Sequence, residues 1–399
     1  MDYQSVSQAA QRLGVTQRAI QKWAKDGKID GATKLGRSWL IPVDVKAPCT
    51  ASTSENEKVH GVANDTKHTV LPLLNASFEP GKCMEYINSI EDKDERKIAL
   101  GEYYYFSAQP QKAIETLEEY LDSDDEVLKY SASLICMFSG FAAGQTNLPL
   151  YALRSLKEQF HNGLKKTDVP IEARAVSIFT SNTADVLLHL PLDNNTPNLE
   201  EYLRYLPAGI KLQACYVLAH RAYLEGDYVR ALTIVDVALA LCPQQYPIAT
   251  IYVKMVGCMA LMKLKRVEEA KERMQRAWEI ASKDGFIEPY IEHHGLLQGM
   301  VEVFFKKGYP QQYNRIVNAV QIFHNGWRDI HNTYADGEIT DKLTTTEFII
   351  AMLYGHGWSV KEVAEHMELS ARTVTNYIST IYSKLYINDK KGLIRYILK

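Results

Sequence analysis

Thr375, Asn376, Ser379 and Ser383 stand at helical spacing along one side of the segment 370–385. Val374, Ile378, Ile381 and Leu385 stand on another side, stepping by four, three and four. The first set is small and hydrogen-bonding; the second is apolar. A helix built this way buries its apolar stripe and offers amides and hydroxyls outward. The chemistry open to such a face is hydrogen bonding to base edges in the major groove, where an Asn amide can pair with adenine.

The elements that must hold this helix are legible on its N-terminal side. Thr344 precedes Glu347 by three, a capping-box spacing, and Phe348, Ile349, Met352 and Leu353 then recur at helical intervals. Gly355 and Gly357 stop that helix. Ser359 caps a second helix with Val363, Ala364 and Met367 inward, and Ser370 opens the third after a short turn. Gly392 to Leu398 forms a fourth. Glu347 reads as a cap or internal pair rather than a DNA contact.

These residues, 343–398, resemble the LuxR-type helix-turn-helix module. The resemblance rests on the LTxxE start, on the Gly-x-Ser-x-x-Glu-hydrophobic-Ala run at 357–364, and on S-x-x-T-V-x-x-x-I-x-x-I-x-x-K-L at 370–385. It implies that Thr375, Asn376 and Ser379 face bases and that Ser370, Thr373 and Lys384 face phosphate. It also implies self-association through the fourth helix and a homodimer on DNA. Two departures stand out: the position after Thr-Val, commonly Lys, is Thr375, and the next landmark, often His, is Tyr377. The missing Lys removes a phosphate contact and weakens nonspecific binding.

A second module occupies residues 1–46. Ser5 and Gln8 have capping-box spacing, Ala9, Ala10 and Leu13 form an inward face, Gly14 turns the chain, and Thr16 caps a helix with Ile20, Trp23 and Ala24 inward. Lys34 and Trp39 flank a small hairpin at Leu35-Gly36-Arg37-Ser38. The segment resembles the excisionase or MerR-like winged helix. The resemblance implies DNA contacts from Gln17, Arg18, Gln21, Lys22 and Arg37, although such folds also bind proteins. Charge partition favours DNA at both ends. Residues 1–48 carry eight Lys/Arg against four Asp/Glu and residues 340–399 eight against six, so with a total of −3 the stretch between holds −9.

Residues 47–69 are poor in large apolar groups and read as a flexible linker. From 70 to 335 the pattern is helical and repeats. Gly101, Tyr104, Ala108, Ala113, Leu117, Tyr120 and Leu121 have counterparts at the same offsets in Ala219, Ala222, Gly226, Ala231, Val235, Ala238 and Leu239. A third set runs Cys258, Leu261, Lys265, Ala270, Met274, Ala277 and Trp278, and Phe304 to Phe323 continues the stack. The pattern resembles degenerate tetratricopeptide repeats, which implies a concave surface for a peptide, partner protein or small-molecule effector. Residues 122–211 are helical without an assigned register, interrupted by a loop at 191–197. The aromatic run Tyr103 to Phe106 reads as interhelix packing, and so does the His293-His294 doublet, since adjacent side chains diverge by roughly 100° on a helix.

Other chemistries lack their signatures. There is no P-loop, no G-x-S-x-G, no H-E-x-x-H and no dinucleotide fingerprint, and the six cysteines, at 49, 83, 136, 215, 242 and 258, form no C-x-x-C pair. No strand-helix alternation of a phosphoacceptor domain precedes the C-terminal module. The expectation is a mainly α chain without enzyme activity, cofactor or metal, cytoplasmic and not membrane-bound. Three functional parts are expected: a winged helix-turn-helix at 1–46, a repeat region at 70–335 and a LuxR-type module at 340–399. The expected function is transcriptional regulation through double-stranded DNA. The alternative is an interaction scaffold whose terminal modules mainly dock proteins.

Overall fold

The computed structural model describes residues 3–13, 20–21, 24–25, 29, 31–35, 38–43, 68–145, 147–165, 169–188, 197–242, 244–334 and 342–397. Its contacts divide the chain into two compact units, Met1–Val59 and His60–Lys399.

In the first unit Ser5 and Gln8 close the expected capping box. The Ser5 amide donates to Gln8 Oε1 at 2.9 Å, and the Gln8 amide donates to Ser5 Oγ at 3.3 Å. That box starts α1 (Val6–Leu13), directly after β1 (Tyr3–Ser5). The hairpin is β2 (Thr33–Leu35) and β3 (Ser38–Pro42), antiparallel with Lys34 opposite Trp39. β1 adds to the far side of β3, so the sheet order is β1-β3-β2. Ala9, Ala10, Ile20, Ala24, Ile29 and Ile41 make a core of their own.

The second unit is built from helical hairpins. They are α3 (Lys93–Phe106) with α4 (Pro110–Leu117), α5 (Glu126–Ala142) with α6 (Asn147–Lys165), α9 (Ala208–Leu224) with α10 (Tyr228–Leu241), and α11 (Pro247–Lys263) with α12 (Val267–Asp284). Short α2 (Cys83–Ser89) and α8 (Leu199–Tyr202), and longer α7 (Ile171–Leu187), join them. After α13 (Glu288–Glu292) the pair α14 (Met300–Gly308) and α15 (Pro310–Tyr334) follows. α15 returns to α5, where Phe141 and Phe323 meet edge to face at 6.3 Å between ring centroids.

One backbone device explains the repeat pattern. Ala108, Gly226 and Lys265, the third landmark of each repeat, all have positive φ (55°, 82° and 58°). One residue after the bend an amide reaches back to the second landmark: Gln109 to Tyr104 O, Asp227 to Ala222 O and Arg266 to Leu261 O, at 2.8, 2.9 and 2.9 Å. This is a Schellman close, which satisfies the orphan carbonyls of the first helix and reverses the chain. Gly144, with φ 69°, repeats the device, and the Gln145 amide reaches Gly140 O at 2.8 Å. Residues 137–157 are therefore a repeat in the stretch where sequence offsets found no register. Its B helix opens with Asn147-Leu148-Pro149, and Pro149 sits so close to Gly140 that a Cβ there would lie 2.5 Å from Pro149 Cγ. Gly140 stands where the other repeats have Tyr104, Ala222 and Leu261, and Pro149 where they have Ala113, Ala231 and Ala270, which hid it.

The packing expectations for the aromatic and histidine runs hold. Tyr105 and Phe106 are buried, and Tyr103 and Tyr104 pack partly buried against the core. His293 is buried; its Nδ1 donates to Pro289 O at 2.7 Å, which leaves Nε2 to accept from Tyr216 OH at 2.9 Å. Beside it Glu292 accepts from the hydroxyls of Tyr105 and Tyr252, and burial, partly offset by those bonds, pushes its carboxyl up to about 7. Among the described residues no helix is long and apolar enough to cross a membrane.

Candidate nucleic-acid interface

Four helices close the second unit: α16 (Thr345–Gly355), α17 (Val360–Met367), α18 (Ala371–Leu385) and α19 (Lys390–Ile397). Two capping boxes set the first two. Thr344 and Glu347 exchange bonds of 2.7 and 3.4 Å, and Ser359 and Glu362 exchange bonds of 2.6 and 3.2 Å. Ser370 Oγ accepts from the Thr373 amide at 3.0 Å and starts α18. Glu368 takes a left-handed conformation (φ 55°) between α17 and α18, and the Leu369 amide closes on Ala364 O at 2.9 Å. This tight turn sets the crossing of the two helices.

Val374, Ile378, Ile381 and Leu385 are buried, as their spacing required. Thr375, Asn376, Ser379 and Ser383 are exposed. Two of the hydroxyls are engaged along the helix: Thr375 donates to Ala371 O at 2.9 Å and Ser379 to Thr375 O at 3.1 Å. Each must rotate to donate to a base, while its oxygen stays available as an acceptor. The Asn376 side-chain amide makes no hydrogen bond among the described residues, so its donors and acceptor are open to an outside partner.

Two residues change the reading of the charges. Lys384, expected at phosphate, bonds Glu347 Oε2 at 2.7 Å, with Glu347 only 5% exposed. Burial alone would raise the Glu347 carboxyl; the hydrogen bonds from Lys384 and Thr344 outweigh it and hold the group below its ordinary value. Lys384 thus ties α18 to α16. Arg372, which the sequence reading passed over, is exposed one turn ahead of Thr375 and Asn376. At about 100° per residue it lies at the centre of the face shared by Thr375, Asn376, Ser379 and Ser383. It puts a cation near the N-terminus of α18, where a phosphate is also favoured by the helix dipole. The signal was present as a helical-wheel position but lay outside the family landmarks.

Ser370 and Thr373 lie at that same N-terminus, with their hydroxyls 2.7 Å apart. In the first unit Gln21 is exposed on the second helical segment. Gln17, Arg18, Lys22 and Arg37 lie outside the described residues.

The opposite side of the four-helix module is seated on the repeats. Lys265, at the bend between α11 and α12, donates to Gly357 O at 3.2 Å and Glu362 Oε1 at 3.1 Å, and stands 5.8 Å from the Trp358 ring centroid. Hydrogen bonds from Ser359 and Lys265 lower the Glu362 carboxyl to about 2. His366 Nε2 donates to Gln298 O at 2.9 Å, and burial pushes its imidazole below the ordinary value. Lys307 of α14 pairs with Glu368 at 2.6 Å. Gly299 (φ 82°) makes the closest approach: a Cβ there would lie 2.5 Å from Met367 Sδ and 3.2 Å from both His366 Nε2 and Ile349 Cγ2. The module docks through α16 and α17, and the polar face of α18 stays in solvent. Gly357 and Glu362 stand in the 357–364 motif and Lys265 is a repeat landmark, but no spacing pairs them across 92 and 97 residues of chain.

The profile described as bacterial regulatory proteins, luxR family, matches residues 341–397, and one described as a helix-turn-helix domain matches residues 5–44. No curated protein and no solved structure matches the chain. Each end therefore carries a helix-turn-helix DNA-binding domain of regulatory type, and the helical middle agrees with the repeat reading.

Proposed function

We propose that the protein is a sequence-specific transcriptional regulator whose α18 reads an operator half-site. The observation that carries this reading is the exposed face of Arg372, Thr375, Asn376 and Ser379 on a helix whose other side is buried and ion-paired. Asn376 bonds a base, Thr375 and Ser379 complete the readout, and Arg372, Ser370 and Thr373 hold phosphate. Two copies, joined through α19, bind a two-fold-related site. The repeats receive a partner or small effector; exposed Val229, Val237 and Leu241 along α10 support a partner protein there. Because the module is seated on α12 to α14, an effector that prefers one arrangement of those helices shifts the placement of α18.

The N-terminal module contacts a second nearby site through Gln17, Arg18, Gln21, Lys22 and Arg37. Residues 47–67 of the expected linker lie outside the described residues. These roles place the protein in the cytoplasm, without catalysis.

The test is genomic DNA selection with full-length protein and with a variant lacking residues 340–399. Two-fold-related motifs enriched by the first and lost with the second are the expected result. Equal enrichment by both sinks the half-site reading. Absence of enrichment at low and moderate salt favours the scaffold role.

A further inference from the structure

His68 enters the repeat region between two helix starts. Its side chain is 6% exposed, and its Nδ1 lies 2.8 Å from Asp125 Oδ2. A carboxylate only accepts, so Nδ1 carries the proton and donates. Asp125 is itself fixed, because its Oδ1 accepts the Val127 and Leu128 amides at 2.9 and 3.0 Å at the start of α5. The other ring nitrogen, Nε2, is buried without a hydrogen-bond partner and points to Asp92 Oδ1 at 3.4 Å. Asp94 is close by: one ligand atom each from His68, Asp92 and Asp94 lie within 4.8 Å of one another. In a neutral imidazole Nε2 is a lone pair, so three electron-pair donors converge.

We propose that His68, Asp92 and Asp94 bind a divalent transition-metal ion, with Asp125 as the positioning residue that orients the imidazole. The arrangement is that of a metal-binding histidine whose second nitrogen is held by a carboxylate. Ligands at about 2.1 Å from a tetrahedral ion stand about 3.4 Å apart, and His68 Nε2 stands 3.4 Å from Asp92 Oδ1, which also accepts the Asp94 and Glu95 amides at 2.9 and 3.1 Å. Imidazole with two carboxylates suits zinc or manganese better than calcium or magnesium. Three carboxylates contribute −3, against about +0.5 from each of the two helix N-termini they cap or flank, so the field favours a cation. Asp92 and Asp125 are each 25% exposed, which gives an ion access.

The frame around the site is rigid. The Leu71 amide donates to Ser131 Oγ at 3.0 Å, and the Leu73 and Leu74 amides donate to the two oxygens of buried Glu102 at 2.9 Å each. Tyr120 OH donates to Asp94 Oδ1 at 2.9 Å. A bound ion fastens the first residues of the repeat region across α3 and α5, next to the linker from the N-terminal module.

The experiment uses full-length protein stripped with a chelator, dialysed, and titrated with zinc sulfate by calorimetry. Metal content is read in parallel by mass spectrometry, and folding by circular dichroism. One zinc per chain is expected. Asp94→Asn, which keeps an acceptor for Tyr120, and His68→Gln each lower the affinity at least about 100-fold; Asp125→Asn lowers it about 10–100-fold while leaving all three ligands in place. If His68→Gln does not fold, Asp94→Asn decides. A folded wild-type chain that binds no zinc overturns the proposal. Binding undiminished in Asp94→Asn also overturns it, by placing the ion elsewhere, for example on cysteine.

Discussion

The two helix-turn-helix ends of this chain are held in different ways. The N-terminal module closes a small core of its own from Ala9, Ala10, Ile20, Ala24, Ile29 and Ile41, beside a three-stranded sheet. The C-terminal module shares one continuous core with the repeats, from Val70 through Leu393. It adds Lys265, Gln298, Gly299 and Lys307 of the body as contacts. A module that shares a core with the repeats is held in a fixed placement on them. The two helix-turn-helix ends therefore differ in support: one closes its own core, and the other packs on the repeats.

The most disruptive way to break this comparison is Gly299→Val. It adds strain at a left-handed position and a clash with Met367, so a loss of roughly 2–4 kcal/mol in the second unit is expected. Thermal unfolding should show that transition shifting down while the first unit keeps its own. A common shift of both would mean that the two ends are not independently supported.

Acidity should separate the ends next. The folded Glu292 carboxyl, raised from 4.5 to about 7 by burial, keeps its proton at higher pH than the unfolded chain does. Its stabilising share is complete below about pH 4.5 and is lost as pH rises through about 7, roughly 3 kcal/mol in all. Glu102 and Glu288, also raised by burial, act in the same direction. Denaturant melts from pH 5 to 8 should show this slope in the second unit, and Glu292→Gln should remove its share. A variant with the wild-type slope would show that Glu292 is not the proton site.

Asn376→Ala tests the recognition face itself. Operator affinity should fall by roughly 1–3 kcal/mol with relaxed preference at one base, and stability should change by less than about 0.5 kcal/mol. Unchanged affinity removes Asn376 from the readout. Lys384→Met tests the support beneath that face. With Lys384 37% exposed, the loss is discounted to about 1 kcal/mol. The Glu347 carboxyl is depressed in the fold, so its contribution is present above the ordinary value of 4.5 and disappears as pH falls below it. The difference between wild type and Lys384→Met should therefore shrink in acid. If salt dependence of DNA binding falls by about one phosphate contact instead, Lys384 serves DNA as well.

Much of the fold, and the exposed polar face of α18, were legible in the chain. The stripe of Val374, Ile378, Ile381 and Leu385, the boxes at Thr344 and Ser359, and the repeat landmarks at Ala108, Gly226 and Lys265 follow from rules acting over three to five residues. Helical periodicity and capping are local, so local spacing reports them. Arg372 is no family landmark, so only its helical-wheel position places it on that face. Lys384 was given to phosphate because a cation near a recognition helix looks the same in sequence whether it meets DNA or Glu347.

What the amino-acid sequence by itself determined is the element order, the buried stripe of α18, its polar face and the two helix-turn-helix ends. Tertiary structure alone decided that Lys384 belongs to Glu347, that Gly299 is where the module meets the body, and that His68 meets Asp92, Asp94 and Asp125. The reason is physical. Hydrogen bonds within a helical turn depend on neighbours along the chain, whereas an ion pair, a close approach or a convergent set of ligands depends on which distant backbones the core brings within a few ångströms.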